Sequence, residues 1–217
     1  MGTPVLIAIT GGSGSGKTTL AMALANRLGP DQCLIVSDDD YYLGKPSEGP
    51  FDPARFNFDD PSAKDLAMLG QHLERLRAGE VVERPMYDMR THSRLGQTVA
   101  VAPKPWIIVE GIHVLCGPFA GQFDLSIFVD TPADVRLARR VLRDIAQRGR
   151  PVEEVVHRYV EFVRPSHDAH TQPGMDRAHL VVRDDSCAIA AHEGEALAVM
   201  DALLGPVLER LAETGRG

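Results

Sequence analysis

One short segment near the amino terminus constrains the fold of this chain more than any other feature. Residues 11–18 read GGSGSGKT, which fits the pattern G-x-x-x-x-G-K-[ST]. An apolar segment, residues 5–9, comes before it, and an amphipathic segment that ends at Gly29-Pro30 follows. A strand, a glycine loop and a helix in this order predict a P-loop, whose backbone N–H groups bind the phosphates of a nucleotide.

The residues of this loop have separate predicted roles. Lys17 is expected to reach the β- and γ-phosphates, and the Thr18 hydroxyl is a ligand for Mg²⁺. The positive end of the following helix adds to the attraction for phosphate. The predicted nucleotide-binding residues are Gly11, Gly12, Ser13, Gly14, Ser15, Gly16, Lys17, Thr18 and Thr19.

The rest of the chain alternates between apolar strand-like segments and amphipathic helical ones. This order is typical of an α/β fold with a largely parallel, buried sheet. Further strands are predicted at 33–36, 106–109, 125–129 and 180–182, and helices at 20–28, 61–76, 133–147, 152–163 and 188–211. The polar residues 81–103 have no helical period and predict a β-hairpin insertion. The sequence has no repeats and no low-complexity linker, so we expect one domain over residues 1–217.

The charge balance excludes some partners. The chain has 23 basic and 30 acidic residues among its 217, a net charge of −7, which makes it a poor nucleic-acid binder. It has no apolar run long enough to span a bilayer, and the first residues do not resemble a signal peptide. We therefore expect a cytoplasmic protein with neither nucleic acid nor membrane as a partner.

A P-loop predicts nucleotide binding but not the reaction. Regulatory GTPases carry an N-K-x-D motif, which this sequence lacks. ATPase motors usually end a strand in paired acids, whereas the strand at 106–109 ends in Glu110-Gly111. A single carboxylate there can hold Mg²⁺ through water, and the alternative is a simple structural cap. A small-molecule kinase is the third class that uses this loop.

The second predicted strand ends in an acidic and aromatic run, SDDDYY at residues 37–42. Ligands of open α/β sheets lie at the carboxyl ends of the strands, so this run should face the P-loop. A kinase that acts on an alcohol needs a carboxylate to orient the hydroxyl and accept its proton. Three adjacent acids cannot all do this, and a solvated acidic turn is the alternative.

Several segments together resemble the uridine–cytidine kinases, within the wider uridine kinase and phosphoribulokinase group. The resemblance implies a three-layer P-loop NTPase fold with a mainly parallel sheet, a small β-hairpin flap and an arginine-rich lid over residues 136–166. It also implies transfer of phosphate from ATP, with Mg²⁺, to the 5′-hydroxyl of uridine or cytidine, and a homotetramer. Besides the loop, the segments are DDYY (39–42), FNFDDP (56–61), PMYDMRTHSR (85–94), EGI (110–112), FVDTP (128–132), RRVLRD (139–144) and RGR (148–150).

The resemblance assigns the acceptor side. Asp39 matches the catalytic base of the family, which selects the middle member of the aspartate run. Asp59 matches the carboxylate that holds the ribose hydroxyls. Tyr42 and Tyr87 match aromatic residues around the pyrimidine, and His92 matches the residue that reads the edge of the base.

The resemblance also assigns four arginines of the lid. Arg140 and Arg150 match contacts to the nucleoside. Arg143 and Arg148 match groups that, with Lys17, reach the transferring phosphoryl group. Guanidinium groups suit the charge that spreads over phosphoryl oxygens, and a closed lid excludes water as a competing acceptor.

The alternative for these arginines is a charged helix face. Arg140 and Asp144 have the spacing of an i,i+4 ion pair. We favour this structural interpretation for Arg136 and Arg139.

Several positions depart from the family pattern, and two of them bear on the acceptor. Met89 stands where an aromatic residue often lines the base pocket, and Arg158 stands where a glutamine is common. A fixed positive charge at 158 favours an anionic acceptor or simply points outward. These two positions leave open a related kinase that acts on a phosphorylated sugar or pantothenate. A nucleotide-binding module without catalysis is a separate alternative.

Overall fold

A five-stranded parallel sheet forms the centre of the molecule. The computed structural model describes residues 2–45, 51–53, 55–186 and 193–213. The strands of the sheet are β1 Val5–Gly11, β2 Cys33–Ser37, β5 Trp106–Glu110, β6 Leu125–Asp130 and β7 Leu180–Arg183. They lie in the order β2-β5-β1-β6-β7, and the predicted parallel sheet is confirmed.

Helices cover the sheet. The helices of the described part are α1 Lys17–Leu28, α2 Leu66–Arg77, α3 Ala133–Arg148, α4 Val152–Arg158, α5 Arg164–Ser166 and α6 Glu193–Glu213. None of them is long and apolar enough to cross a membrane.

The burial of β1 explains the three layers. All seven of its residues are buried, and successive side chains point to opposite faces. Ile7 and Ile9 belong to the core cluster that contains residues of α1 and α6. Leu6 and Ala8 belong to the other cluster, which contains Leu69 of α2. A strand covered on both faces has no polar alternation, which is why its sequence is a continuous apolar run.

The predicted helix at 61–76 is wrong at its start. Pro61–Ala63 is a short 3₁₀ turn, whose cap is the Asp60 side chain accepting from the Ser62 N–H. Asp65 then caps a separate helix, α2, by accepting from the Met68 N–H. Two caps five residues apart break the helical period. Between them Lys64 is extended and forms a β-bridge with Tyr42.

The polar segment at 81–103 forms an antiparallel hairpin of two strands, β3 Val82–Asp88 and β4 Ser93–Val101. The sequence has strand-like pieces only at 81–82 and 98–101, and the strands of the structure are longer than these. The turn between them places His92 at a φ of 53°, in the left-handed region.

The lid segment is a helical hairpin. α3 ends at Gly149, whose φ of 64° lets the chain reverse into α4. The predicted end at residue 163 is wrong, because helical turns continue as Tyr159–Val163, α5, His167–Thr171 and Gln172–Arg177. At the carboxyl terminus, the first residues of the predicted helix at 188–211 lie outside the described residues, and α6 covers Glu193–Glu213.

Candidate active site

The loop between β1 and α1 has the backbone of a phosphate cradle. It turns back on itself at Ser15, whose N–H donates to the Gly12 carbonyl at 3.0 Å. Gly14 and Gly16 have φ values of 84° and 90°, which a side chain would disfavour. α1 begins at Lys17, so its free N–H groups and the positive end of its dipole lie at the loop. An anion finds both donors and a favourable field here.

The three aspartates after β2 have three different environments. Asp38 is buried. Asp40 forms an ion pair with Arg84 of β3 at 3.0 Å. Asp39 lines the cleft in front of the phosphate loop, where its side chain is 47% exposed. The segment is therefore not the solvated acidic turn that the sequence left open, and Asp39 is the member of the run that a bound molecule meets.

A buried lysine that the sequence analysis missed lies behind these aspartates. The Nζ atom of Lys64 is 2.6 Å from Asp38 Oδ1 and 2.7 Å from Asp39 Oδ1. Burial alone would raise the pKa of Asp39, but the Lys64 ammonium, helped by Lys17 and Arg148, holds that pKa well below its usual range. Asp39 is thus ionised at neutral pH. A lone lysine in a polar turn carries no motif that reveals this contact.

Glu110 at the end of β5 and Thr18 of α1 lie together. The Thr18 hydroxyl donates to Glu110 Oε2 at 3.0 Å, and the Ser37 hydroxyl donates to Oε1 at 2.8 Å. Burial raises the pKa of Glu110; Lys17 opposes this effect and Asp39 adds to it. A carboxylate beside a hydroxyl offers the hard oxygen donors that Mg²⁺ prefers, so these two residues fit that ion.

Four arginines of the lid gather around one carboxylate. Asp144 is fully buried, and its oxygens lie 2.9 Å from Arg143, 3.4 Å from Arg148, and 3.8 Å from both Arg140 and Arg150. Burial would raise the pKa of Asp144, but the arginines lower it. All four arginines line the cleft. Arg140, Arg143 and Arg148 belong to α3 itself, as Asp144 does, and only Arg150 is brought to the carboxylate by the turn at residue 149.

Arg140 connects the lid to both sides of the cleft. Its Nη1 atom donates to the Ser13 hydroxyl of the phosphate loop at 2.8 Å. The same atom lies 3.8 Å from Asp59 Oδ1. The predicted phosphate site and the predicted ribose site are therefore neighbours.

Arg136 and Arg139 serve the structure around the cleft. The Arg136 Nε donates to the Thr131 carbonyl at 3.0 Å, and a side chain at Gly14 would collide with the Arg136 carbonyl. Arg139 forms an ion pair with Asp184 at 2.7 Å. Both arginines make structural contacts, but Arg136 is buried and so is not part of an exposed charged helix face.

Aromatic rings and a histidine line one end of the cleft. The Tyr42 hydroxyl donates to the Phe58 carbonyl at 3.1 Å, and the His92 ring stacks on the Phe58 ring with centroids 4.7 Å apart. Burial, aided by nearby arginines, lowers the pKa of His92. Met89 lines the same end. Tyr87 lies behind, with its ring 4.9 Å from the Tyr42 ring, and is not among the cleft-lining residues.

Arg158 does not point outward. It is 7% exposed, and its Nη1 and Nη2 donate to the carbonyls of Pro53 and Phe56 at 2.7 and 3.1 Å. Its guanidinium carbon also lies 5.7 Å from the centre of the Phe58 ring. Arg158 therefore anchors the backbone that carries the aromatic end of the cleft.

Most of the predicted site residues meet at this one cleft, although they come from distant parts of the chain. Thr19 is exposed and lies outside it. Phe58 lies in the FNFDDP segment (56–61) that carries part of the resemblance, but the sequence does not show that its ring stacks on His92. The cleft residues that the sequence had assigned are Ser13, Lys17, Thr18, Asp39, Tyr42, Asp59, His92, Glu110, Arg140, Arg143, Arg148 and Arg150.

The parallel sheet carries a phosphate cradle that faces an ionised carboxylate across an arginine-lined cleft. This combination defines a P-loop kinase. The family model described as "Phosphoribulokinase / Uridine kinase family" matches residues 6–189. The chain belongs to this family.

Individual relatives give the same result. The chain is 42% identical over 181 residues to "Uridine kinase" of Clostridium botulinum, which covers 82% of this chain and 87% of the relative. It is 37% identical over 209 residues to "Uridine kinase" of Geobacillus sp., and this match covers 95% of this chain and 96% of the relative. Among solved structures, D-glycerate 3-kinase from Cryptococcus neoformans shares the fold, with a TM-score of 0.62 and 18% sequence identity. The superposition covers 84% of this chain and 87% of that structure.

Proposed function

We propose that the protein transfers the γ-phosphoryl group of ATP to the 5′-hydroxyl of uridine or cytidine. The observation that carries this proposal is that Asp39, Asp59 and Lys17 line one cleft. The relatives named uridine kinase, at 37 to 42% identity over most of both chains, support the choice of acceptor.

The reaction divides between the two sides of the cleft. On the acceptor side, Asp39 accepts the proton of the 5′-hydroxyl as its oxygen attacks the γ-phosphorus, and the bond to the β,γ-bridging oxygen breaks to release ADP. On the donor side, Lys17, Arg143 and Arg148 stabilise the charge on the transferring group. Thr18 and Glu110 would hold Mg²⁺, which neutralises charge on the β- and γ-phosphates when bound.

Asp59 and the aromatic end of the cleft would select the nucleoside. A carboxylate that accepts from both ribose hydroxyls is left with an unpaired acceptor when one hydroxyl is missing, so a 2′-deoxy sugar binds poorly. His92 and Tyr42 would contact the base. Arg158 lines the cleft and is held there by two neutral backbone carbonyls, so it keeps its positive charge, and the acceptor panel decides between a neutral and an anionic acceptor.

An acceptor panel tests this proposal. ADP release is measured with ATP and Mg²⁺ in the presence of uridine, cytidine, 2′-deoxyuridine, ribulose 5-phosphate, pantothenate or no acceptor. We expect turnover with uridine or cytidine at least tenfold above every other acceptor, about 1.4 kcal/mol of discrimination.

Two other results would overturn the proposal. Turnover with the sugar phosphate or pantothenate, and none with a pyrimidine nucleoside, would indicate the alternative kinase. ATP binding without acceptor-dependent ADP release would indicate a non-catalytic module. A cytoplasmic location, a homotetramer and a single domain stay predictions from the sequence and the family resemblance.

A further inference from the structure

Lys64 has an unusual position for a lysine. Its side chain has no exposed surface, and its ammonium group lies between two carboxylates at 2.6 and 2.7 Å. The ammonium also lies 4.5 Å from the centre of the Tyr42 ring. Lysines are almost never fully buried unless they are paired, so this arrangement has a structural cost that calls for a role.

Lys64 contacts two residues that line the cleft, the Tyr42 ring and Asp39, and it forms a hydrogen bond with Asp39 alone of these two. The lysine is covered, whereas the Asp39 side chain is half exposed to the cleft. The ammonium engages Asp39 Oδ1, and Oδ2 accepts no hydrogen bond from the described residues. One oxygen of the carboxylate is therefore held from behind, and the other remains for a hydroxyl in front.

We propose that Lys64 is a positioning residue, which together with Asp38 fixes the orientation of the Asp39 carboxylate toward the acceptor hydroxyl. This inference rests on the proposed function, because it assigns Asp39 the role of base. It concerns how the base is held and does not depend on which alcohol is phosphorylated.

A chain of buried contacts extends this clamp to the other side of the acceptor site. Asp38 Oδ2 accepts from the His113 backbone N–H at 2.9 Å. The His113 ring Nε2 donates to the Asp59 carbonyl at 3.0 Å. Asp38 occupies space that a side chain at Gly111 would fill. The Asp39 carboxylate, through Lys64, and the backbone of Asp59, through His113, are thus linked to the same buried residue, Asp38.

The competing explanation is that Lys64 only neutralises the buried Asp38. The single variant Lys64→Met does not distinguish the two explanations. It leaves a buried carboxylate unpaired, so Tm falls by roughly 10 °C under either of them. The double variant Asp38→Asn/Lys64→Met removes both buried charges. Its asparagine Oδ1 still accepts from the His113 N–H, and methionine matches the length of the lysine stem.

The test measures kcat, KM and Tm of the double variant with the acceptor that the unmodified protein phosphorylates best. We expect Tm within a few degrees of the original, KM for the acceptor within about threefold, and kcat lowered roughly 10²-fold, the loss typical of a misplaced catalytic group. Arg77→Met is the matched control, since it removes a cation from the Asp124 pair away from the cleft. It should leave kcat unchanged.

The pH profile gives a second readout. In the double variant the Lys64 ammonium is absent, so the carboxylate of Asp39 binds protons more readily. The acidic limb of the kcat/KM profile therefore moves to higher pH, by about one pH unit or more. The other groups that face Asp39 stay in place in the variant: Lys17, Asp40, Tyr42, Tyr87, Glu110 and Arg148.

The proposal fails if the folded double variant keeps the original kcat and pH profile, because Lys64 is then only the counter-ion of Asp38. This outcome differs from a failure of the proposed function. An unmodified protein that prefers another alcohol overturns the choice of nucleoside, while the ratio of variant to unmodified kcat on that alcohol still decides the role of Lys64.

Discussion

The Thr18 hydroxyl donates a 3.0 Å hydrogen bond to the Glu110 carboxylate, and this bond joins the start of α1 to the end of β5. The two residues are 92 positions apart in the chain. Because both strands flanking this point run parallel, their carboxyl ends meet at one edge of the sheet, where the phosphate loop also begins.

This pair leads to the first prediction, on the requirement for metal. We expect Glu110→Gln to weaken the apparent affinity for Mg²⁺ by roughly 10- to 100-fold, since an amide binds the cation or its water shell less well than a carboxylate. The measurement is ADP release as a function of Mg²⁺ concentration at saturating ATP. Glu80→Gln, in an exposed pair with Arg75, is the control. An unchanged dependence on Mg²⁺ would exclude Glu110 from the metal site.

The second prediction concerns the base. Asp39→Asn should lower kcat by roughly 10²- to 10⁴-fold, because the amide cannot accept the proton of the hydroxyl. Binding of the acceptor, followed by calorimetry, should stay within about threefold of the original affinity. Asp40→Asn is the neighbouring control, since Asp40 pairs with Arg84. Equal losses in both variants would show that the acidic run acts as a whole and not through Asp39.

The third prediction concerns the buried centre of the lid. Asp144→Asn leaves four arginines around a neutral group, so we expect a loss of about 3 kcal/mol in the free energy of unfolding and a fall in kcat. Urea denaturation and ADP release measure the two effects. Glu154→Gln, which removes only the half-exposed partner of Arg150, is the matched control. A stable and active Asp144→Asn variant would mean that the arginines hold their positions without this carboxylate.

The fourth prediction is a dependence of stability on pH. Burial lowers the pKa of His72, His113 and His167 in the folded protein. The unfolded chain therefore binds more protons than the folded one below the ordinary histidine pKa of about 6.5. Their contribution to stability is complete above that pH and is lost as the pH falls toward the lower folded-state values.

Urea denaturation at about pH 7.5 and about pH 5.5 measures this loss. We expect a smaller free energy of unfolding at the lower pH. The difference should shrink in His167→Asn and stay the same in His157→Gln, because His157 is exposed. A free energy of unfolding that does not change between the two values would contradict the prediction.

The sequence alone was sufficient for the phosphate loop and the sheet. The glycine pattern predicts a local backbone, and the apolar run of residues 5–9 predicts a strand buried on both faces. Both depend on neighbouring residues along the chain, so both are visible without a structure. The start of α2 was misplaced because two capping aspartates, Asp60 and Asp65, compete within a few residues.

The tertiary structure decided which of the three aspartates faces the cleft and what stands behind it. Asp38 and Asp39 meet Lys64 only because the chain between them folds back through the Tyr42 bridge. Arg150 likewise joins the three α3 arginines around Asp144 only because the chain turns at Gly149. Spacing along the chain specifies local backbone and the face of an element. Contacts between buried charges that lie far apart in the chain depend on packing across many residues, and the sequence carries no period or motif that reports them.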